Sequence, residues 1–153
     1  MRVLELKVPP PAVALVTAVL MWLASRSSPA LTFVFPASNL LAVGLAAIGL
    51  TVAISGVVTF RRARTTLNPT KPEASSSLVS WGIYKITRNP MYLGLLLVLT
   101  AGAIFLSNWL AFLFLPVFVA YIDRFQIVPE ERALTSLFAR EFVHYQSRVR
   151  RWL

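Results

Sequence analysis

The chain has 153 residues, of which 57% are hydrophobic and 14% charged, with a formal net charge of +9. A soluble domain carries roughly a quarter charged residues, so this composition marks a one-domain membrane protein. The absence of cysteine excludes disulfides, thiolate metal sites and cysteine nucleophiles, a single His144 argues against a metal centre, and the charge comes with no nucleic-acid motif.

Residues 1–11 form a basic lead ending in three prolines. Ala12 to Ser25 is uncharged and, with its flanks, gives about 18 residues, near the lower limit for a spanning helix. A secretory signal also starts basic and turns apolar, but here the prolines come at the wrong end and no A-x-A-like site precedes Arg26. Arg26 to Ser38 is a connection with Pro29 and Pro36, and its LTFVF run suits a segment lying against the membrane. Asn39 to Phe60 is a second uncharged run of 22 residues. Its Gly44, Gly49, Gly56, Ala46, Ala47 and Ala53 allow close helix approach. No strict G-x-x-x-G occurs, so this supports packing and says nothing about oligomerisation.

Arg61, Arg62 and Arg64 stop that run, and residues 65–80 are turn-formers. Leu78 to Gly94, reading LVSWGIYKITRNPMYLG, joins this loop to the longest uncharged stretch. Pro90 pushes Asn89 out of the α region and suits a first helical turn, so Asn89 is expected to cap a helix from Met91 onward. A helix start carries free N–H groups and partial positive charge, which can hold a carboxylate or another polar ligand. The plainer reading makes Tyr84, Lys85, Arg88 and Tyr92 an interfacial anchor.

Met91 to Ile122 is 32 residues without a charge, too long for one ordinary span. Ser107-Asn108 divides it into arms of 16 and 14 residues, a tight helical hairpin, and Pro116 is expected to kink the second arm. Beyond Asp123, Pro129 followed by Glu130 and Glu131 looks like a helix start with acids in its first turn. Leu134, Leu137, Phe138, Phe142 and Tyr145 recur at helical spacing and give one apolar face. Arg148, Arg150, Arg151 and Trp152 close the sequence in a form suited to an anionic surface.

The expected fold is therefore an all-α integral membrane protein of about four transmembrane helices, including a tight C-terminal hairpin, plus a cytosolic amphipathic C-terminal helix. Four spans place 14 of the 15 Lys and Arg residues on one side and only Arg26 on the other. The positive-inside rule makes the rich side cytosolic, with both termini and the site there, in an inner or plasma membrane. Residues 1–64 supply two spans and 65–153 the functional part of a single domain, 1–153.

A hairpin brings its ends together, so Ser76–Tyr92 should neighbour Asp123–Arg132. That juxtaposes Tyr84, Arg88, Asn89 and Tyr92 with Arg124, Gln126, Glu130 and Glu131. Adjacent helical residues diverge, so one acid of the pair should face the pocket and the other a basic partner such as Arg88 or Arg124. The plainer reading is a solvated first turn whose acids complement the helix dipole, worth about 0.3–1 kcal/mol. No Ser–His–Asp set can be placed, no glycine-rich phosphate motif occurs, and the spans lack the ionisable residues of a transport pathway.

The same residues carry a family resemblance over roughly residues 65–153. Leu78-Val79, Gly82, Tyr84, Arg88-Asn89-Pro90-Met91-Tyr92, Gly94, Glu130-Glu131, Leu134, Phe138, Phe142 and Tyr145 resemble the isoprenylcysteine carboxyl methyltransferases and the related phospholipid methyltransferases. The resemblance implies an integral membrane enzyme that transfers a methyl group from S-adenosyl-L-methionine to a lipid-like or small apolar acceptor. A non-catalytic scaffold retaining the fold is the rival. The cofactor contacts it implies are Ser76, Ser77, Leu78, Val79, Tyr84, Asn89, Pro90, Met91, Tyr92 and Glu130. Arg124, Gln126 and Glu131 are the catalytic candidates. Asn89 and Ser76 each stand where the prenylcysteine enzymes carry His. Gln126 stands where they carry an Arg for the substrate carboxylate, which argues against that acceptor. The implied partners are a membrane lipid or lipid-soluble substrate, with no metal and no nucleic acid.

Overall fold

A computed structural model describes residues 5–63 and 77–153, and among these every regular element is helical. The long helices are α1 (Pro10–Ser27), α2 (Ser38–Arg62) and α3 (Pro90–Leu106). They are followed by α4 (Trp109–Phe112), α5 (Phe114–Ile122), a π-helical turn (Asp123–Ile127) and α6 (Val128–Arg148). Three helical stretches are long and apolar enough to cross a membrane: α1, α2 and the continuous run Trp109–Arg148. Helix α3 is a shorter apolar helix of 17 residues, about 26 Å long at the α-helical rise.

Helices α1 and α2 expose Leu15, Val19, Leu23, Leu40, Val43 and Ile48. That surface is stable only against an apolar medium, which is what a bilayer supplies. Inside, α3 is the hub. Its most extensive partner is α2, and it also packs on α1 and α5. The α2–α3 approach depends on absent side chains. A methyl group on Gly94 would lie 2.5 Å from the Gly49 carbonyl oxygen and 2.6 Å from Ala53 Cβ. Backbone-to-backbone approach of this kind is what small residues permit between apolar helices. The main core joins Ala14 and Met21 of α1, Tyr92, Leu99 and Ala103 of α3, and Phe118 and Ile122 of α5.

The hairpin turn falls where the sequence placed it. Ser107 closes α3 in the left-handed region (φ 48°), and Asn108 Oδ1 accepts from the Leu110 N–H at 3.0 Å, capping α4. The Asn108 amide also donates to the Ser28 carbonyl at 2.8 Å, and the Phe33 N–H donates to the Ser107 carbonyl at 2.9 Å. The two connections at this end are thus bonded together. The second arm breaks at Leu113, between α4 and α5. Pro116 lies three residues on and lacks the N–H that would reach the Phe112 carbonyl, so the expected distortion is present.

Three expectations need correcting. Pro129 does not open a fresh helix: the backbone runs on from α5 through the π-turn into α6. Asn89 occupies the N-cap position of α3 without a side-chain capping bond, because its amide is used elsewhere. On α6, Phe142 and Tyr145 are buried and Leu134 and Phe138 pack beside them, whereas Leu137 is 44% exposed and leaves the expected apolar face. The helix is interrupted at Ala139, with φ 35° and ψ −108°.

Candidate active site

The start of α3 and the start of α6 meet. The Tyr92 hydroxyl, on the first turn of α3, donates to Glu130 Oε1 on the first turn of α6. Glu131, one residue on, points the other way, as adjacent helical residues must. Its carboxylate lies 3.2 Å from Arg88 Nη1 and takes two bonds from Arg151, at 3.2 Å from Nε and 2.7 Å from Nη2. The expected division of the acidic pair is therefore present: one acid faces the tyrosine, the other faces cations. Among the described residues Glu130 has no cationic partner.

Around this pair stands a second apolar cluster, in which Val79, Tyr84, Phe142, Tyr145 and Val149 are buried with Leu78 and Phe60 packed on them. The Tyr145 hydroxyl donates to the Tyr84 carbonyl at 2.7 Å and fixes the Gly82–Lys85 turn. Burial, with Tyr145 and Glu130 nearby, pushes the Tyr84 phenol above its ordinary value, so it is a neutral hydroxyl. Its oxygen and the Ser77 hydroxyl oxygen are buried without a hydrogen-bond partner among the described residues. Buried polar groups of this kind cost roughly 1–3 kcal/mol when left unpaired. Pro90 and Met91 lean on α2, where a methyl group on Gly56 would meet Met91 Cγ at 3.0 Å and Pro90 Cγ at 3.1 Å. Ser76 lies outside the described residues.

Arg124 and Gln126 are not brought to this pair. The π-turn aims them at the lead before α1. Arg124 Nη1 and Arg132 Nη2 hold Glu5 at 3.2 and 2.9 Å, and the buried Gln126 amide donates to the Val8 carbonyl at 2.6 Å. The Leu6 N–H donates to the Phe125 carbonyl at 3.0 Å. Burial alone would raise the Glu5 carboxyl, but Arg132 and Arg124 outweigh it and hold the group below its usual range.

The residues that sequence reasoning missed lie in the strap after α6. The Arg151 carbonyl accepts from Asn89 Nδ2 at 2.9 Å and from Thr87 Oγ1 at 3.3 Å, and the Arg150 carbonyl accepts from the Arg88 N–H at 3.1 Å. Trp152 Nε1 donates to Asp123 Oδ1 at 3.2 Å. Arg151 and Trp152 are thus folded onto the site and not spread on a lipid surface. Bonds to backbone carbonyls leave no mark on residue type. Only the match of two acids with two cations across a long separation was available as a signal.

The phospholipid methyltransferase family profile matches residues 37–141, which covers α2, the α3 hub, the π-turn and the first part of α6. The chain belongs to the phospholipid methyltransferase family. Of similar proteins, an uncharacterized protein of Haemophilus influenzae is 48% identical over 63 residues, which is 41% of this chain and 100% of that protein. Protein-S-isoprenylcysteine O-methyltransferase B of Arabidopsis thaliana is 32% identical over 108 residues, 66% of this chain and 55% of that protein. The chain therefore spans about half the length of the plant relative. No solved structure matches. The family match and the spanning helices together describe a membrane protein of this family.

Proposed function

We propose that the protein transfers a methyl group from S-adenosyl-L-methionine to a lipid-like acceptor, at the membrane face that carries the Tyr92–Glu130 pair. The basic-residue asymmetry supports a cytosolic face. The observation that carries the reading is the Glu130 carboxylate, held by the Tyr92 hydroxyl and matched by no protein cation among the described residues. A carboxylate so placed suits a cationic or hydroxyl-bearing ligand. The cofactor presents both, as sulfonium, ammonium and ribose hydroxyls. The orphaned Ser77 and Tyr84 oxygens add polar contacts of the right kind. Glu130, Tyr92, Tyr84 and Ser77 would hold it, with Asn89, Pro90 and Met91 forming the α3 wall and Leu78 and Val79 the apolar floor.

When bound, the cofactor supplies an already activated methyl group for in-line displacement. The protein then contributes position and exclusion of water, and well-oriented reactants gain about 7–11 kcal/mol. A thiolate or carboxylate acceptor needs no base, whereas an amine must lose a proton, for which Glu130 is the nearest candidate. Gln126 and Arg124 face the lead before α1, and Glu131 is held by Arg88 and Arg151, so none of the three is assigned to the acceptor.

The deciding experiment is saturation binding of S-adenosyl-L-methionine to the purified protein. Methyl transfer is then assayed against an amine lipid, a thiol and a prenylcysteine. Binding with turnover on one acceptor class supports the reading and names the class. No binding at saturating cofactor overturns it and leaves a membrane scaffold that retains the fold.

A further inference from the structure

The proposed site has two walls, the α3 start and the α6 start, and they come from distant parts of the sequence. Besides the direct Tyr92–Glu130 and Arg88–Glu131 contacts, Arg151 touches both. The Arg151 guanidinium makes two bonds to Glu131 on α6, and its carbonyl accepts from Asn89 and Thr87 immediately before α3. The same guanidinium lies 3.8 Å from Asp123 at the head of the π-turn, where Trp152 also bonds. Hydrogen bonds to Glu131 hold Arg151 firmly protonated. It is about one-third exposed, so the cross-link lies at the rim of the site and not in its core.

We propose that Arg151 is a positioning residue that sets cofactor affinity, by holding the wall that carries Glu130 against the wall that carries Tyr92. This rests on the reading that those two residues form the cofactor site. A planar guanidinium suits the task, because it binds a carboxylate by two parallel N–H bonds and so fixes angle as well as distance. A lysine keeps the charge but loses that geometry. The charge balance is local: Arg88 and Arg151 face Glu131 and Asp123. Removing Arg151 leaves Glu131 with Arg88 alone, and leaves Asp123 bonded only by the Trp152 indole among the described residues.

The test compares Arg151→Met, Arg151→Lys and, as control, Arg150→Met, whose exposed side chain takes no part in the cross-link although its carbonyl does. Each full-length variant is purified in lipid nanodiscs, and S-adenosyl-L-methionine binding is measured by saturation. Arg151→Met should weaken affinity about tenfold or more, the size of a lost bond between charged groups, with lysine intermediate and Arg150→Met unchanged. In turnover the loss should fall on KM for the cofactor with kcat largely kept.

Hydrogen exchange without cofactor separates this proposal from the site reading itself. Arg151→Met should speed exchange at the amides of Asn89, Met91, Tyr92, Leu93, Glu130, Glu131 and Arg132 while α1 and α2 keep their protection. Localised loosening in a parent that binds no cofactor overturns the site reading alone. Parent-like affinity in Arg151→Met overturns the positioning role, as does uniform loosening across all helices or failure of lysine to recover any affinity.

Discussion

Replacing Gly94 by alanine tests whether the α2–α3 contact positions the site. The new methyl group would sit 2.5 Å from the Gly49 carbonyl oxygen, 2.6 Å from Ala53 Cβ and 2.8 Å from the Ala53 nitrogen. Carbon atoms rest at about 3.5–4.0 Å, so α3 must withdraw from α2 by about 1 Å. All three obstructing atoms are backbone or Cβ and cannot swing aside. Overpacking of this kind costs about 1–3 kcal/mol. Gly102 on the same helix has nothing within 4 Å of an added methyl, so Gly102→Ala gains helix propensity without a clash. The two substitutions therefore have opposite expected signs, although they are chemically identical.

Thermal unfolding in one detergent reads the difference, with Gly94→Ala melting below the parent and Gly102→Ala at or above it. Tyr92 lies two residues before Gly94, so the same displacement should loosen its bond to Glu130. A misplacement of about 1 Å near reacting groups can cost up to about a hundredfold, and cofactor affinity should fall with stability. Equal melting temperatures for the two variants would refute the backbone-contact argument.

Other outcomes follow from contacts already described. Glu130→Ala should abolish cofactor binding measured by calorimetry in detergent while leaving helical circular dichroism intact, and unchanged affinity would sink that assignment. Tyr145→Phe removes the bond to the Tyr84 carbonyl and should lower stability by about 0.5–1.5 kcal/mol, read by chemical unfolding. Glu5 has a depressed folded-state value, so its tie to Arg124 and Arg132 contributes stability above the ordinary carboxylate range and loses it as pH falls through the depressed value. The Leu6 amide is bonded to the Phe125 carbonyl, and its protection factor, corrected for the intrinsic exchange rate at each pH, should fall in acid and stay high at neutral pH.

The hairpin and the meeting of its ends were legible because polar Ser107-Asn108 interrupts an otherwise uncharged run, and because length alone forbids a single span. The divergence of Glu130 and Glu131 was legible from helical geometry. Arg88, one of the basic partners offered as examples, is in place beside Glu131, and Arg151, which was not offered, makes the two hydrogen bonds. Three features were not legible. Arg124 and Gln126 turn to the lead before α1 because a π-turn, which has no composition of its own, adds a residue to the helix. Glu5 reads as one acid in a basic lead until folding brings Arg124 and Arg132 to it. The Arg150–Trp152 strap reads as a lipid-facing basic end. Yet beside the Arg151 guanidinium its contacts run through two backbone carbonyls, which any residue would offer.

The π-turn also has a consequence for sequence comparison. Side chains advance by about 100° per residue along an α-helix, so one residue more or less rotates everything beyond it. Asp123–Ile127 stands between the core-facing Ile122 and the Glu130–Glu131 pair. The heading of both acids is therefore set by a count of residues as well as by their identity. A chain that kept Tyr92, Glu130 and Glu131 but lost one residue between Ile122 and Pro129 would preserve every side chain of the motif. It would nonetheless turn Glu130 away from the α3 start, giving a protein with the signature intact and the pocket out of phase.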